Sequence, residues 1–93
     1  MIRVFIERRV PSELIDVYNA LARENLQSAM STTGFISGEV LFDINDTEKR
    51  LIVATYRTLN DWSRWYHSEE RRNMMARITP MLEQAEKISI YEL

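Results

Sequence analysis

Apolar residues recur with two different periods along this 93-residue chain, and the switches between periods mark its elements. The opening run "IRVFIERRV" is rich in β-branched and aromatic residues, and Pro11 ends it by removing a backbone donor and holding Val10 extended. A first strand is predicted there. Leu14, Val17, Tyr18, Leu21, Ala22, Leu26, Ala29 and Met30 then return every three or four positions, with Ser12 able to cap and Glu13 in the first turn. This is a helix, ended by the Ser/Thr cluster of "SAMSTTG" and by Gly34.

"FISGEVLFDI" reads as a second strand with a kink at Gly38. "NDTEK" supplies turn residues, and "RLIVATYR" follows as a third strand in an antiparallel hairpin. Thr58, with Asp61 three residues on, opens a second helix through a capping box. Ser68 before Glu69 and Glu70 is a second start signal, which predicts a break near Ser68 and a helix resuming to about Glu83. "AEKISIYEL" alternates and makes a fourth strand.

The resulting order, β-α-β-β-α-β over residues 1–93, predicts a single α+β domain of ferredoxin-like type, with an antiparallel sheet and both helices on one face. "VFI", "VLF" and "LIVA" are apolar on both strand faces, so the sheet face away from the helices needs a cover. A two-fold homodimer with sheets face to face, a dimeric α+β barrel, supplies it. The short chain favours the same answer, because a domain of this length buries a small core.

Composition narrows the chemistry. Two Gly, two Pro and 45% hydrophobic residues describe a chain that folds rather than a disordered one. A net charge of −2 with no Lys/Arg run leaves no footprint for nucleic acid or an anionic membrane surface. With no cysteine and one histidine, neither a thiolate nucleophile nor a His/Cys metal cluster is expected. Neither a signal peptide nor an apolar run of membrane-spanning length is apparent, so a cytoplasmic protein is expected.

The stretch "TLNDWSRWYHSEERR" holds both tryptophans and the only histidine. At helical spacing Trp62, Trp65 and Tyr66 share a face, whereas His67 lies about 200° around from Trp65. The tryptophans are expected inside, with Trp65 beside a cavity, and His67 outside. The "EERR" at 69–72 reads as a solvated helix face. If Val4 and Ile6 face the helices, the period of two brings Arg8 there too, together with Ile52, Ala54 and Tyr56 on the third strand. Arg8 and Asn25 become the polar groups of an otherwise apolar cleft, the usual form of a small-molecule site. The alternative is structural, with Arg8 snorkelling past the strand end and Asn25 meeting a backbone group.

The element order, "TGFISGEVLFD" leading the second strand, "ATYRTLNDWSRWYHSEERR" across the third strand and second helix, and "ITPMLEQ" before the last strand together resemble the antibiotic biosynthesis monooxygenase family. The resemblance implies a homodimer with a pocket in each subunit, where members oxidise aromatic polyketides or degrade haem without a conventional cofactor. Trp65 matches the tryptophan of the haem-degrading branch, while Arg8 and Met75 stand where its asparagine and histidine would be. Lacking that imidazole, the chain is expected not to degrade haem. Ile52, Tyr56 and Trp62 fall where the polyketide-oxidising branch resembles an asparagine, a tryptophan and a tyrosine. The function so implied is oxidation of a small aromatic or hydrophobic molecule by dioxygen, with no cofactor or metal. Trp65 and Arg8 would be catalytic, and Trp62, Tyr56, Asn25, Ile52 and Met75 would bind substrate. The alternative is a non-enzymatic small-molecule-binding or stress-response module of the same fold.

Overall fold

The computed structural model covers residues 1–93. Strand β1 (Ile2–Arg9) leads through a short 3-10 turn (Ser12–Leu14) into helix α1 (Ile15–Met30). Strands β2 (Phe35–Asp43) and β3 (Asp46–Tyr56) form the hairpin, followed by α2 (Leu59–Tyr66), α3 (Glu69–Ile78), a 3-10 turn (Thr79–Met81) and β4 (Lys87–Glu92). The four strands make one antiparallel sheet in the order β2-β3-β1-β4, so the predicted ferredoxin-like α+β arrangement is present.

Alternation along β1 buries Ile2, Val4, Ile6 and Arg8 against the helices. Ala54 and Tyr56, paired with Val4 and Ile2 on β3, share that face. Two apolar clusters form there. Ile2, Val4, Ile6, Ala29, Ala54, Tyr56, Trp62 and Trp65 make one, and Val10, Tyr18, Ala22, Met75 and Ile78 make the other.

Several local expectations are corrected. Ser12 does not cap α1; its backbone N–H and hydroxyl both donate to the Glu48 carboxylate, at 3.0 and 3.1 Å. Gly38 pairs regularly with Ala54 and makes no kink. The register shifts instead at Ile36, the extra residue between the pairs Phe35–Tyr56 and Ser37–Thr55, and again between Phe42 and Asp43 beside the turn. Gly38 instead serves close packing, since a Cβ there would lie 3.0 Å from Leu26 Cδ1 and from Phe35 Cζ. The hairpin turn is tighter than "NDTEK" suggested, because β3 already begins at Asp46. Helix α3 ends at Ile78 rather than near Glu83, since Thr79–Pro80–Met81 closes it with a 3-10 turn.

The outer sheet face is more mixed than predicted. Phe5, Leu51, Val53 and Tyr91 alternate with Arg3, Glu7, Glu39 and Lys49 on it, in the register that pairs Phe5 with Val53 and Glu7 with Leu51. The apolar residues there stay partly exposed, and Tyr91 is 61% exposed.

Gly34, at φ +85°, is the one residue with a left-handed backbone. Its carbonyl accepts from Arg57 N–H at 2.8 Å, joining the start of β2 to the end of β3. A Cβ on Gly34 would stand 2.2 Å from Asp61 Cγ. Gly34→Ala should therefore cost at least ~2 kcal/mol, through the disfavoured φ and the displaced Asp61. Urea denaturation measures this, and a loss below about half that value would show that the turn relaxes freely.

Candidate functional site

Between the two apolar clusters lies a cavity of about 40 Å³. Its walls come from the sheet (Ile6, Arg8, Phe35, Val40, Ile52, Ala54, Tyr56), from α1 (Ala22, Asn25, Leu26, Ala29) and from Trp62, Trp65 and Arg71. The sequence thus brings Arg8, Asn25, Ile52, Tyr56, Trp62 and Trp65 to one place. Met75 lies behind that wall: its sulfur accepts from Arg8 Nη2 at 3.5 Å and from Asn25 Nδ2 at 4.0 Å. By volume the cavity has room for a few water molecules, at about 10–15 Å³ each, and not for an aromatic ring.

Trp62 and Trp65 are buried, 4% and 5% exposed, and His67 is exposed as expected. The His67 Nδ1 lies 2.9 Å from the Ser63 carbonyl oxygen, a local helix-end contact away from the cavity. Aromatic rings meet in a chain from Phe35 through Tyr56 and Trp62 to Tyr66, with centroids 5.4 to 5.7 Å apart.

Arg8 does not snorkel. It is 3% exposed, donates from Nε to Glu86 Oε2 at 2.9 Å and from Nη1 to the Tyr18 hydroxyl at 3.1 Å. Arg71 reaches the other oxygen of the same carboxylate, with Nη2 2.5 Å from Glu86 Oε1. Of "EERR", read as a solvated face, Glu69, Glu70 and Arg72 are exposed as expected and only Arg71 is a correction. The break at Ser68 restarts the helical phase, and the third residue of α3 then turns inward, with Arg71 7% exposed and its guanidinium over the Tyr66 ring. Glu86 was missed as well. The alternation of "AEKISIYEL" placed it in the fourth strand, but β4 begins only at Lys87, so Glu86 lies in the preceding connector, and only the buried charge of Arg8 asks for such a partner.

Burial pushes the Glu86 carboxyl up, but the attraction of Arg8 and Arg71 more than reverses this and holds it below the ordinary carboxylate range. The Tyr56 phenol is pushed up by burial, with Thr32 and the charge of Arg71 opposing. No cluster of three or more acidic or histidine side chains is placed to hold a metal ion.

The family model described as antibiotic biosynthesis monooxygenase matches residues 1–77. The chain belongs to this family. Solved structures agree on the fold: a conserved protein from Methanosarcina mazei Go1 superposes with TM-score 0.92 at 16% identity, covering 98% of this chain and 90% of that one. An antibiotic biosynthesis monooxygenase superposes at 0.91 with 14% identity, covering 100% and 98%. SnoaB, a cofactor-independent oxygenase from Streptomyces nogalater, in an asparagine-to-alanine mutant, superposes at 0.88 with 6% identity, covering 99% and 91%. No curated protein matches the sequence. Identities this low carry the family fold and leave the site to be argued from its own residues. In this family member no helix is long and apolar enough to cross a membrane.

Removing the Glu86 charge tests the cluster. Glu86→Gln leaves two buried guanidinium groups without a counter-charge, and should cost ~3 kcal/mol at neutral pH. Because the folded-state pKa of Glu86 is lowered, its contribution is full above the unfolded value near ~4.3 and is lost as pH falls through the folded value. The gap between wild type and Glu86→Gln should therefore narrow on acidification, read by denaturation from neutral pH to about pH 3. A gap that stays constant would show that Glu86 gains nothing from being charged.

Proposed function

We propose that this family member is a cofactor-independent monooxygenase that oxidises a small aromatic or hydrophobic molecule with dioxygen, as a homodimer. What carries the reading is the arrangement of two tryptophans and a tyrosine around a cavity with buried arginines on its wall. Aromatic walls suit a flat apolar substrate, and Trp62, Trp65, Tyr56 and Ile52, which line the cavity, are the residues we assign to bind it. Arg8 supplies a fixed positive charge in a low-dielectric setting, which favours the phenolate or enolate over its neutral acid. An electron-rich anion of this kind can pass electrons directly to dioxygen.

The balance closes without an external reductant. For a quinol, a ring C–H becomes C–OH and the quinol becomes a quinone. Both oxidations are two-electron steps, so one dioxygen supplies the inserted oxygen atom and leaves its second atom as water. No strong base lines the cavity, because Glu86 is tied to two arginines and the Tyr56 phenol is pushed up. The substrate proton is therefore released to water as the arginine field acidifies the bound hydroxyl.

Oxygen uptake with a panel of quinols and polyphenols tests the chemistry. One labelled oxygen atom should enter the product per dioxygen consumed, and Arg8→Gln should lower kcat/KM by about a hundredfold. Tight binding with no oxygen uptake would sink the enzyme and leave the binding module.

The dimer rests on the sheet. Only 20 of 93 residues are buried, and the partly exposed outer face mixes Phe5, Leu51, Val53 and Tyr91 with charges of both signs, which a two-fold contact can pair. Light scattering should give about twice the 11.0 kDa chain mass, and Leu51→Lys should return the monomer. A wild-type monomer at micromolar concentration would refute the dimer.

A further inference from the structure

Two features of the cavity wall are unanswered by the protein itself. Asn25 is 8% exposed, and its Oδ1 is a buried oxygen with no hydrogen-bond partner. The neighbouring Met75 sulfur can only accept, so the amide nitrogen belongs on its side and the oxygen is left without a donor. An orphaned buried acceptor costs ~1–3 kcal/mol, which a donor brought in from outside would recover.

The second feature is charge. Arg8 and Arg71 both line the cavity and share one carboxylate, Glu86, so the cluster keeps a net positive charge. Arg50 lies directly across from Arg8 on β3 and is 5% exposed. Its guanidinium meets the Thr47 and Lys49 carbonyls and the Phe42 ring but no carboxylate, which adds to the excess. No aspartate or glutamate lines the cavity to offset it. The excess cation and the orphaned acceptor are close together, because Arg8 and Asn25 reach the same Met75 sulfur.

Resting on the cavity as the ligand site, we propose that it selects small molecules presenting an anionic oxygen and, on the same ring, a hydroxyl donor: Arg71 and Arg8 take the anion, and Asn25 Oδ1 accepts from the hydroxyl. A ring needs more room than the cavity has, since even benzene occupies a cavity of about 150 Å³. Trp65 is the wall that can yield. It lines the cavity on one side and, on the other, a surface cleft of about 320 Å³ formed with Thr32, Thr33, Asp61, Arg64, Ser68, Glu69 and Glu70. Asn25 and Arg71 are thus specificity-determining residues on the fixed wall, and Trp65 is the door.

Three probes separate the terms: 4-nitrocatechol carries an ionisable hydroxyl and a donor, 4-nitrophenol the ionisable hydroxyl alone, and 4-nitroanisole neither. Binding is measured without oxygen, in mildly alkaline buffer where the first two are singly ionised, by quenching of Trp62 and Trp65, the only tryptophans. 4-Nitrocatechol should bind about five- to tenfold tighter than 4-nitrophenol, and that about tenfold tighter than 4-nitroanisole. Asn25→Leu should erase the first step and leave 4-nitrophenol unchanged. Arg71→Met should weaken both anions, whereas Glu86→Gln should tighten them, opposite shifts that damage to the fold would not produce. Equal affinity for all three probes in the wild type overturns the proposal while keeping the cavity as a ligand site. Absence of binding by every probe overturns both. The wild-type ranking and Asn25→Leu stand even where Arg71→Met fails to fold.

Discussion

The two-armed ion pair of Glu86 with Arg8 and Arg71 is the constraint on which the rest of the molecule depends. The strict alternation of β1 commits Arg8 to the helix-facing side, and a guanidinium buried there without a partner would cost several kcal/mol. The partner comes from the connector just before β4, and it draws Arg71 of α3 to the same point. One carboxylate therefore ties the sheet, the helical layer and the last strand together. Glu83 N–H donates to the Arg9 carbonyl at 3.0 Å, so the connector is fastened to the end of β1 at a second place. With Glu86 held, β4 begins at Lys87 opposite Glu7, and its register along β1 follows.

The same constraint shapes the chemistry. A helix-facing surface made only of Val4, Ile6, Ala54 and their neighbours could close into a dry core, as the apolar clusters on either side do. Polar groups at Arg8, Asn25 and Arg71 prevent the two clusters from merging, because none can be covered by hydrocarbon without loss. The gap that remains is small, apolar on most of its wall and positively charged at one end. Such a gap distinguishes charge states of a ligand far more sharply than water would.

Much of this was legible in the sequence because it follows from periods. The period of two placed Arg8, Ile52 and Tyr56 on one side of the sheet, and the period of 3.6 placed Trp62, Trp65 and Asn25 facing them. Glu86 was not legible as a partner, since alternation ran it into the fourth strand, which begins only at Lys87, and no local pattern reports a contact with a residue 78 positions away. Arg71 was misjudged for a related reason. The restart at Ser68 was predicted, but "EERR" was read from its charge alone, and the phase of the restarted helix, which turns Arg71 inward, was not carried through to it. The kink assigned to Gly38 failed differently: a glycine in a strand marks either bent backbone or close packing, and the choice lay with Leu26, far away in sequence.

Ser68 shows how a helix break becomes part of a site. Its hydroxyl donates to the Trp65 carbonyl at 2.7 Å and accepts from Arg71 N–H at 3.1 Å, closing α2 and opening α3 with one side chain. The residues it joins are Trp65, the aromatic wall between cavity and surface cleft, and Arg71, the second arm on Glu86. Helix α2 is only two turns long and is capped by Thr58, whose oxygen accepts from Asp61 N–H at 3.1 Å. A two-turn element capped at each end by a hydroxyl has fewer continuous backbone bonds than α1 or the sheet, and it is anchored chiefly by burial of Trp62 and Trp65. In the proposed entry of a ring, Trp65 of α2 is the side that yields, and Arg71, on the far side of the Ser68 joint and clamped by Glu86, is the side that holds.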